Sequence, residues 1–140
     1  MTVKTTTHLN FRGDARAALE FYQSVFGGHL VVVTYGDAGP ARDDAAADAV
    51  MWGQVAGDNG FAIMAYDVPT SLDWNPGVIP FFVSLRSLSG DEISQHWAKL
   101  AAGATVIQPL GPAGWSPLYG MLKDRFGITW VIDVEVPYAG

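Results

Sequence analysis

The stretch Asp14-Ala15-Arg16-Ala17-Ala18-Leu19-Glu20-Phe21-Tyr22-Gln23-Ser24-Val25-Phe26-Gly27-Gly28 decides how the rest of the chain is read. Ala17, Ala18, Phe21, Tyr22, Val25 and Phe26 recur at spacings of three and four, the period of one helix face, with Asp14 placed as an N-cap and two glycines as the stop. Before it, Thr5 to Phe11 alternates polar and apolar residues, and after it His29 to Tyr35 is a Val-rich run ending at Gly36. Both are predicted strands. Residues 36–48 read as a polar loop in which Asp37, Asp43, Asp44 and Asp48 form a solvated charge run rather than a general-acid pair. Two more strands, Ala49 to Ala56 and Phe61 to Asp67, are joined by Gly57-Asp58-Asn59-Gly60, which suits the positive φ angles of a hairpin turn. Pro69 to Gly77 is the expected linker.

The same order then returns: strand Ile79 to Arg86, helix Gly90 to Ala102 stopped by Gly103, strand Thr105 to Gln108, and strands around Tyr119 to Lys123 and Ile128 to Val136. Gly28 falls on Gly103 and Tyr22 on Trp97 at an offset of 75, while Gly60 falls on Gly127 and Ile63 on Trp130 at an offset of 67. The longer first-half loop accounts for the difference. The pattern is βαβββ twice, an α+β module duplicated into repeats 1–68 and 77–140 of a single domain, with two curved mixed sheets and helices outside them. Chance similarity of two α+β segments is the alternative.

The chain has 140 residues, enough for one domain or two half-domains, and its 49% hydrophobic and 16% charged content excludes intrinsic disorder. A net charge of -6 with eight singly scattered Lys and Arg offers no footprint for nucleic acid or an anionic membrane. With no cysteine there is no disulfide, thiolate site or cysteine nucleophile. The start of the chain lacks an apolar signal core and no run approaches the roughly 18 apolar residues of a membrane span, so a soluble, cytoplasmic protein is expected.

Leu9-Asn10-Phe11-Arg12-Gly13-Asp14-Ala15, the helix run Ala18-Leu19-Glu20-Phe21-Tyr22 closing at Val25-Phe26-Gly27-Gly28, and Asp124-Arg125-Phe126-Gly127-Ile128-Thr129-Trp130, with Trp115 before the penultimate strand, together resemble the vicinal oxygen chelate superfamily of glyoxalase and bleomycin-resistance proteins, in its PhnB-like branch. The resemblance covers nearly the whole chain. It implies two βαβββ modules forming a cup, generally in a homodimer. Some members of the branch carry a demethylubiquinone methyltransferase label, but no Gly-rich nucleotide loop follows a strand here.

The resemblance also implies where metal ligands would stand: a donor near the start of the first strand and a carboxylate in the last strand of each half. The last-strand positions fall on Met64 and Val131, neither of which can replace a carboxylate. The first-strand position of the second half lies among Ile79, Pro80, Phe81 and Phe82, and that of the first half on Thr6 or Thr7 beside His8. The third-strand histidine of PhnB-like relatives is missing from Ala49 to Val55. No metal and no cofactor are therefore expected. His29 and His96 are not positioned to join His8, and an atypical site of His8, Gln54 and Asp133 is the remaining metal-bound alternative.

Strand parity assigns the faces. Leu9 and Phe11, Ile63 and Ala65, Val83 and Leu85, and Trp130, Ile132 and Val134 should pack under the helices. His8, Asn10, Met64, Tyr66, Phe82, Ser84, Val131 and Asp133 then face the cup, with Trp52 and Gln54 the less core-like set of the third strand and Trp115 and Tyr119 at the rim. A wall of Trp52, Met64, Tyr66, Phe82 and Val131 with polar points at His8, Asn10, Gln54 and Asp133 has the composition of a small-molecule pocket. The competing reading is that these aromatics simply fill the interior. Ser24, Ser84 and Ser116 lack a Gly-x-Ser-x-Gly frame, which disfavours acyl transfer. The expectation is a metal-free binder of a small, largely apolar or aromatic molecule, acting as a homodimer. Its rivals are a metal-dependent lyase, isomerase or dioxygenase-like enzyme built around His8, and a structural or regulatory partner with a filled cup.

Overall fold

A computed structural model describes residues 3–39 and 46–137. Its elements are β1 (Thr7–Phe11), α1 (Ala15–Phe26), β2 (His29–Thr34), α2 (Tyr35–Ala38), β3 (Val50–Ala56) and β4 (Ala62–Asp67), then β5 (Val83–Ser87), α3 (Gly90–Leu100), β6 (Thr105–Ala113), β7 (Ser116–Lys123) and β8 (Thr129–Val134). The strands form two four-stranded mixed sheets, ordered β1-β4-β3-β2 and β5-β8-β7-β6. In each, the first strand pairs in parallel with the last and the remaining pairs are antiparallel. The fold is thus α+β and βαβββ twice. The chain divides into two compact units between Pro76 and Gly77.

In the first unit α1 lies on one face of the sheet. Ala18, Leu19, Tyr22 and Val25 of the helix are buried with Leu9, Phe11, Val55, Ile63 and Ala65 of the strands, as the two periodicities require. Gly28 turns the chain from α1 into β2 at φ +99, where a Cβ would also stand 2.7 Å from the Ala56 carbonyl oxygen. Asp14 stands at the N-cap position as expected, but it does not cap the helix with its side chain: its backbone lies in the helical region (φ -101, ψ 0) and its carboxylate makes no capping bond. Asp67, at the far end of β4, does that work: its Oδ1 accepts from the N–H groups of Gly13 (2.7 Å) and Ala15 (3.1 Å), and its Oδ2 from that of Val50 (2.9 Å).

In the second unit Ile93 and Leu100 of α3 are buried, as are Val83, Leu122, Trp130, Ile132 and Val134 of the sheet. Asp124 holds the β7–β8 turn: its Oδ1 accepts from Phe126 and Ile128 N–H and its Oδ2 from the Trp130 indole at 2.9 Å.

Several boundaries differ from those expected. β5 begins at Val83 rather than Ile79: its pairing with β8 starts with Val83 opposite Trp130, and Pro80 in the preceding stretch has no N–H to give a ladder. β6 runs on through Pro109 and Pro112 to Ala113. It is an edge strand, where a residue lacking an N–H breaks no ladder on its open side. The expected loop after β2 starts with the short helix α2, closed by a capping box: Thr34 Oγ1 accepts from Asp37 N–H and Asp37 Oδ2 from Thr34 N–H. Asp37 is therefore fixed rather than part of a mobile charge run. Asp43 and Asp44 lie outside the described residues. The linker after β4 is strapped to the first unit, since the Arg12 guanidinium donates to the carbonyls of Val68, Pro69 and Leu72 and lies over the Trp74 ring.

Candidate functional site

On the first sheet the residues singled out from sequence share the face opposite α1. Leu9, Phe11, Ile63, Ala65 and Val55 are turned to the helix, so alternation sends His8, Asn10, Met64, Tyr66, Trp52 and Gln54 the other way. The register then sets their neighbours. His8 pairs with Met64, Met64 with Gln54 and Gln54 with Val31, forming one row across four strands. Asn10 pairs with Tyr66, and Trp52 with Val33. The His8 imidazole meets Tyr66 edge to face at 5.2 Å, and its Nδ1 lies 3.3 Å from Asn10 Oδ1. The Trp74 indole N–H donates to the Asn10 carbonyl at 3.2 Å, so the strapped linker fixes this end of β1 as well.

On the second sheet Tyr119 pairs with Asp133 and Asp133 with Arg86, again across adjacent strands. Arg86 Nε donates to Asp133 Oδ1 at 3.0 Å, and Asp133 is only 14% exposed. This ion pair was not anticipated. Sequence could have signalled it, because Arg86 has the same parity as Ser84, which strand alternation assigns to the same face as Asp133. Hydrogen bonding to Asp133 raises the Arg86 pKa further above its already high value. Trp115, 65% exposed in the β6–β7 turn, meets Tyr119 edge to face at 5.1 Å. Phe82 is the member that the structure moves: it precedes β5, so strand parity does not set its direction, and the residue opposite Val131 is Ser84.

The fit of a metal can be tested on this register. The strand pairs that would carry a donor and a carboxylate present His8 with Met64 and Ser84 with Val131. Neither an imidazole beside a thioether nor a hydroxyl beside an isopropyl group makes a divalent-cation site. Among the described residues no three His, Asp or Glu side chains form a metal-holding group, and Asp133 of the atypical alternative is engaged by Arg86. Two of the three candidate serines are also committed: Ser24 Oγ donates to the Phe21 carbonyl, and the buried Ser116 Oγ lies 2.8 Å from the Val134 carbonyl. A hollow of about 470 Å³ lined by Phe26, His29 and residues 56–59 lies at the β3–β4 turn and includes none of the residues above.

Residues 6–132 match the family described as the Glyoxalase/Bleomycin resistance protein/Dioxygenase superfamily. The chain belongs to this superfamily. A Pseudomonas aeruginosa protein of solved structure is 30% identical with a TM-score of 0.85, the alignment covering 96% of this chain and 98% of that one. A Bacillus cereus PhnB protein, titled a candidate 3-demethylubiquinone-9 3-methyltransferase, is 27% identical with a TM-score of 0.70, over 95% and 100% of the two chains. An uncharacterised Mycobacterium bovis protein is 28% identical, over 88% of this chain and 78% of its own length. This superfamily member thus has PhnB-like neighbours in structure. Among its described residues no helix is long and apolar enough to cross a membrane.

Proposed function

We propose that this glyoxalase-superfamily protein binds a small, largely apolar or aromatic molecule without a metal ion, using the helix-free faces of its sheets. The observation that carries the reading is the row His8–Met64–Gln54, in which a thioether stands where a chelating relative would need a carboxylate, flanked by Trp52 and Tyr66 on the same face. Apolar and aromatic surface with a few polar points is the composition that holds flat organic molecules. The methyltransferase title of the Bacillus cereus neighbour is not carried over, because no strand here leads into a Gly-rich loop and helix that would hold a methyl donor.

The test combines metal analysis with a titration. Protein purified without a polyhistidine tag is expected to carry no stoichiometric Ni, Zn, Mn or Fe and to bind planar aromatic probes saturably. A stoichiometric metal would overturn the reading in favour of an enzyme built around His8. Absence of binding across a broad aromatic panel would favour a structural role. The protein acts, on this proposal, as a homodimer, since long apolar side chains such as Val106 and Ile107 are exposed on the edge strand β6. A monomer mass by light scattering at micromolar concentration would refute that part.

A further inference from the structure

We propose that His8 makes the first-sheet site selective for ligands that donate a hydrogen bond, the class being flat two-ring aromatics that carry a hydroxyl group. The inference rests on the binding reading above and names the ligand class for the same site. His8 Nδ1 lies 3.3 Å from Asn10 Oδ1. An amide oxygen only accepts, so this contact requires the proton on Nδ1. A neutral imidazole has a single N–H, which leaves Nε2 a bare lone pair that can only accept. Tyr66, edge to face with the imidazole at 68°, holds the ring plane, and the Trp74 bond to the Asn10 carbonyl holds the strand beneath it.

Four polar groups on this face have no hydrogen bond to any described residue: His8 Nε2, the Asn10 NH2 group, the Tyr66 hydroxyl and the Gln54 carboxamide. Tyr66 and Gln54 can each donate or accept, and the Asn10 NH2 donates to a hydroxyl or an ether oxygen alike, so none of the three discriminates between them. His8 does. A ligand hydroxyl satisfies Nε2, whereas an ether or carbonyl oxygen there sets lone pair against lone pair and gains no bond. The size follows from the register. His8 and Gln54 flank Met64 from strands β1 and β3, two strand spacings or about 10 Å apart, the span of a fused two-ring aromatic lying on the thioether.

The probes are 2-naphthol and its methyl ether, 2-methoxynaphthalene, titrated into the intact protein, with the His8 tautomer read independently by long-range proton–nitrogen NMR. The naphthol is expected to bind at least tenfold more tightly than the ether, and His8→Phe should abolish the difference by weakening the naphthol alone. The NMR signature should be that of the Nδ1–H tautomer. Equal affinity for the two probes in the unaltered protein, or an Nε2–H tautomer, overturns the inference while leaving the binding reading standing. Failure of both probes to bind overturns the binding reading and the inference with it.

Discussion

The ring of Trp97 in α3 rests on Gly120 of β7, so closely that a Cβ at Gly120 would stand 2.8 Å from the Trp97 Cζ3 and 3.0 Å from the Leu110 Cα. Gly53 has the same position 67 residues earlier, where a Cβ would meet Leu19 Cδ1 of α1. Each sheet therefore has a missing side chain under its helix, into which one helix residue is seated. Gly120→Ala is expected to destabilise the protein by about 1–3 kcal/mol, the usual cost of overpacking. Gly53→Ala should cost less, because the end of Leu19 can swing aside while an indole and a backbone atom cannot. Urea denaturation followed by circular dichroism measures both.

Asp67 should matter more to the fold than its place at a strand end suggests. Its carboxylate accepts from three backbone N–H groups, two at the start of α1 and one at the start of β3. In Asp67→Asn one oxygen becomes an NH2 group facing a donor. The expected loss is about 1.5–3 kcal/mol, the range for hydrogen bonds to a charged group, again read by urea denaturation.

The α2 capping box should open in acid. Bonds from the Thr34 backbone and then its side chain hold the Asp37 carboxyl below its ordinary pKa. The folded carboxyl thus binds its proton less tightly than the unfolded one. Its stabilisation is complete above roughly pH 4 and is lost as pH falls through the lower folded value. Thr34 and Asp37 amide shifts should titrate in that window, and Asp37→Asn should remove the transition.

Trp52 distinguishes a binding face from a filled interior. It is half-buried on the face opposite α1, while its neighbours Gly53 and Val55 are buried under the helix. Trp52→Ala should weaken binding of a planar probe by about 1–3 kcal/mol, as for an aromatic anchor, with little change in melting temperature. A melting loss of the size of a core truncation, about 3–5 kcal/mol, with unchanged affinity would show that Trp52 is packing.

The two helices, the duplication and the inward parity of Leu9, Ile63, Val83 and Trp130 could be read from the sequence because each follows from a short period that repeats locally. What escaped that reading depends on partners far along the chain. Asp67 caps a helix 52 residues away and Arg86 pairs 47 residues away, separations at which no local spacing carries information. The prolines of β6 looked like a terminator because nothing local marks an edge strand. Phe82 was placed by starting β5 at Ile79, four residues before its pairing begins at Val83. Of the candidate face, His8, Asn10, Met64 and Tyr66 were legible from alternation and Trp52 and Gln54 only as the less core-like set of an ambiguous third strand, whereas the contact between His8 and Asn10 depends on side-chain rotation that no pattern encodes.

The parallel pairing of first and last strands also gives synthesis a schedule. Among the described residues β5 has β8 as its only neighbouring strand, so on the ribosome it waits until Thr129 to Val134 are made. At about 5–20 residues per second that is several seconds with both edges of the strand open to other chains. β1 waits for β4 in the same way. The waiting strands are those in which polar residues alternate most strictly, Thr7-His8-Leu9-Asn10-Phe11 and Val83-Ser84-Leu85-Arg86-Ser87. The polar side chains on the helix-free face thus also keep a nascent strand in water.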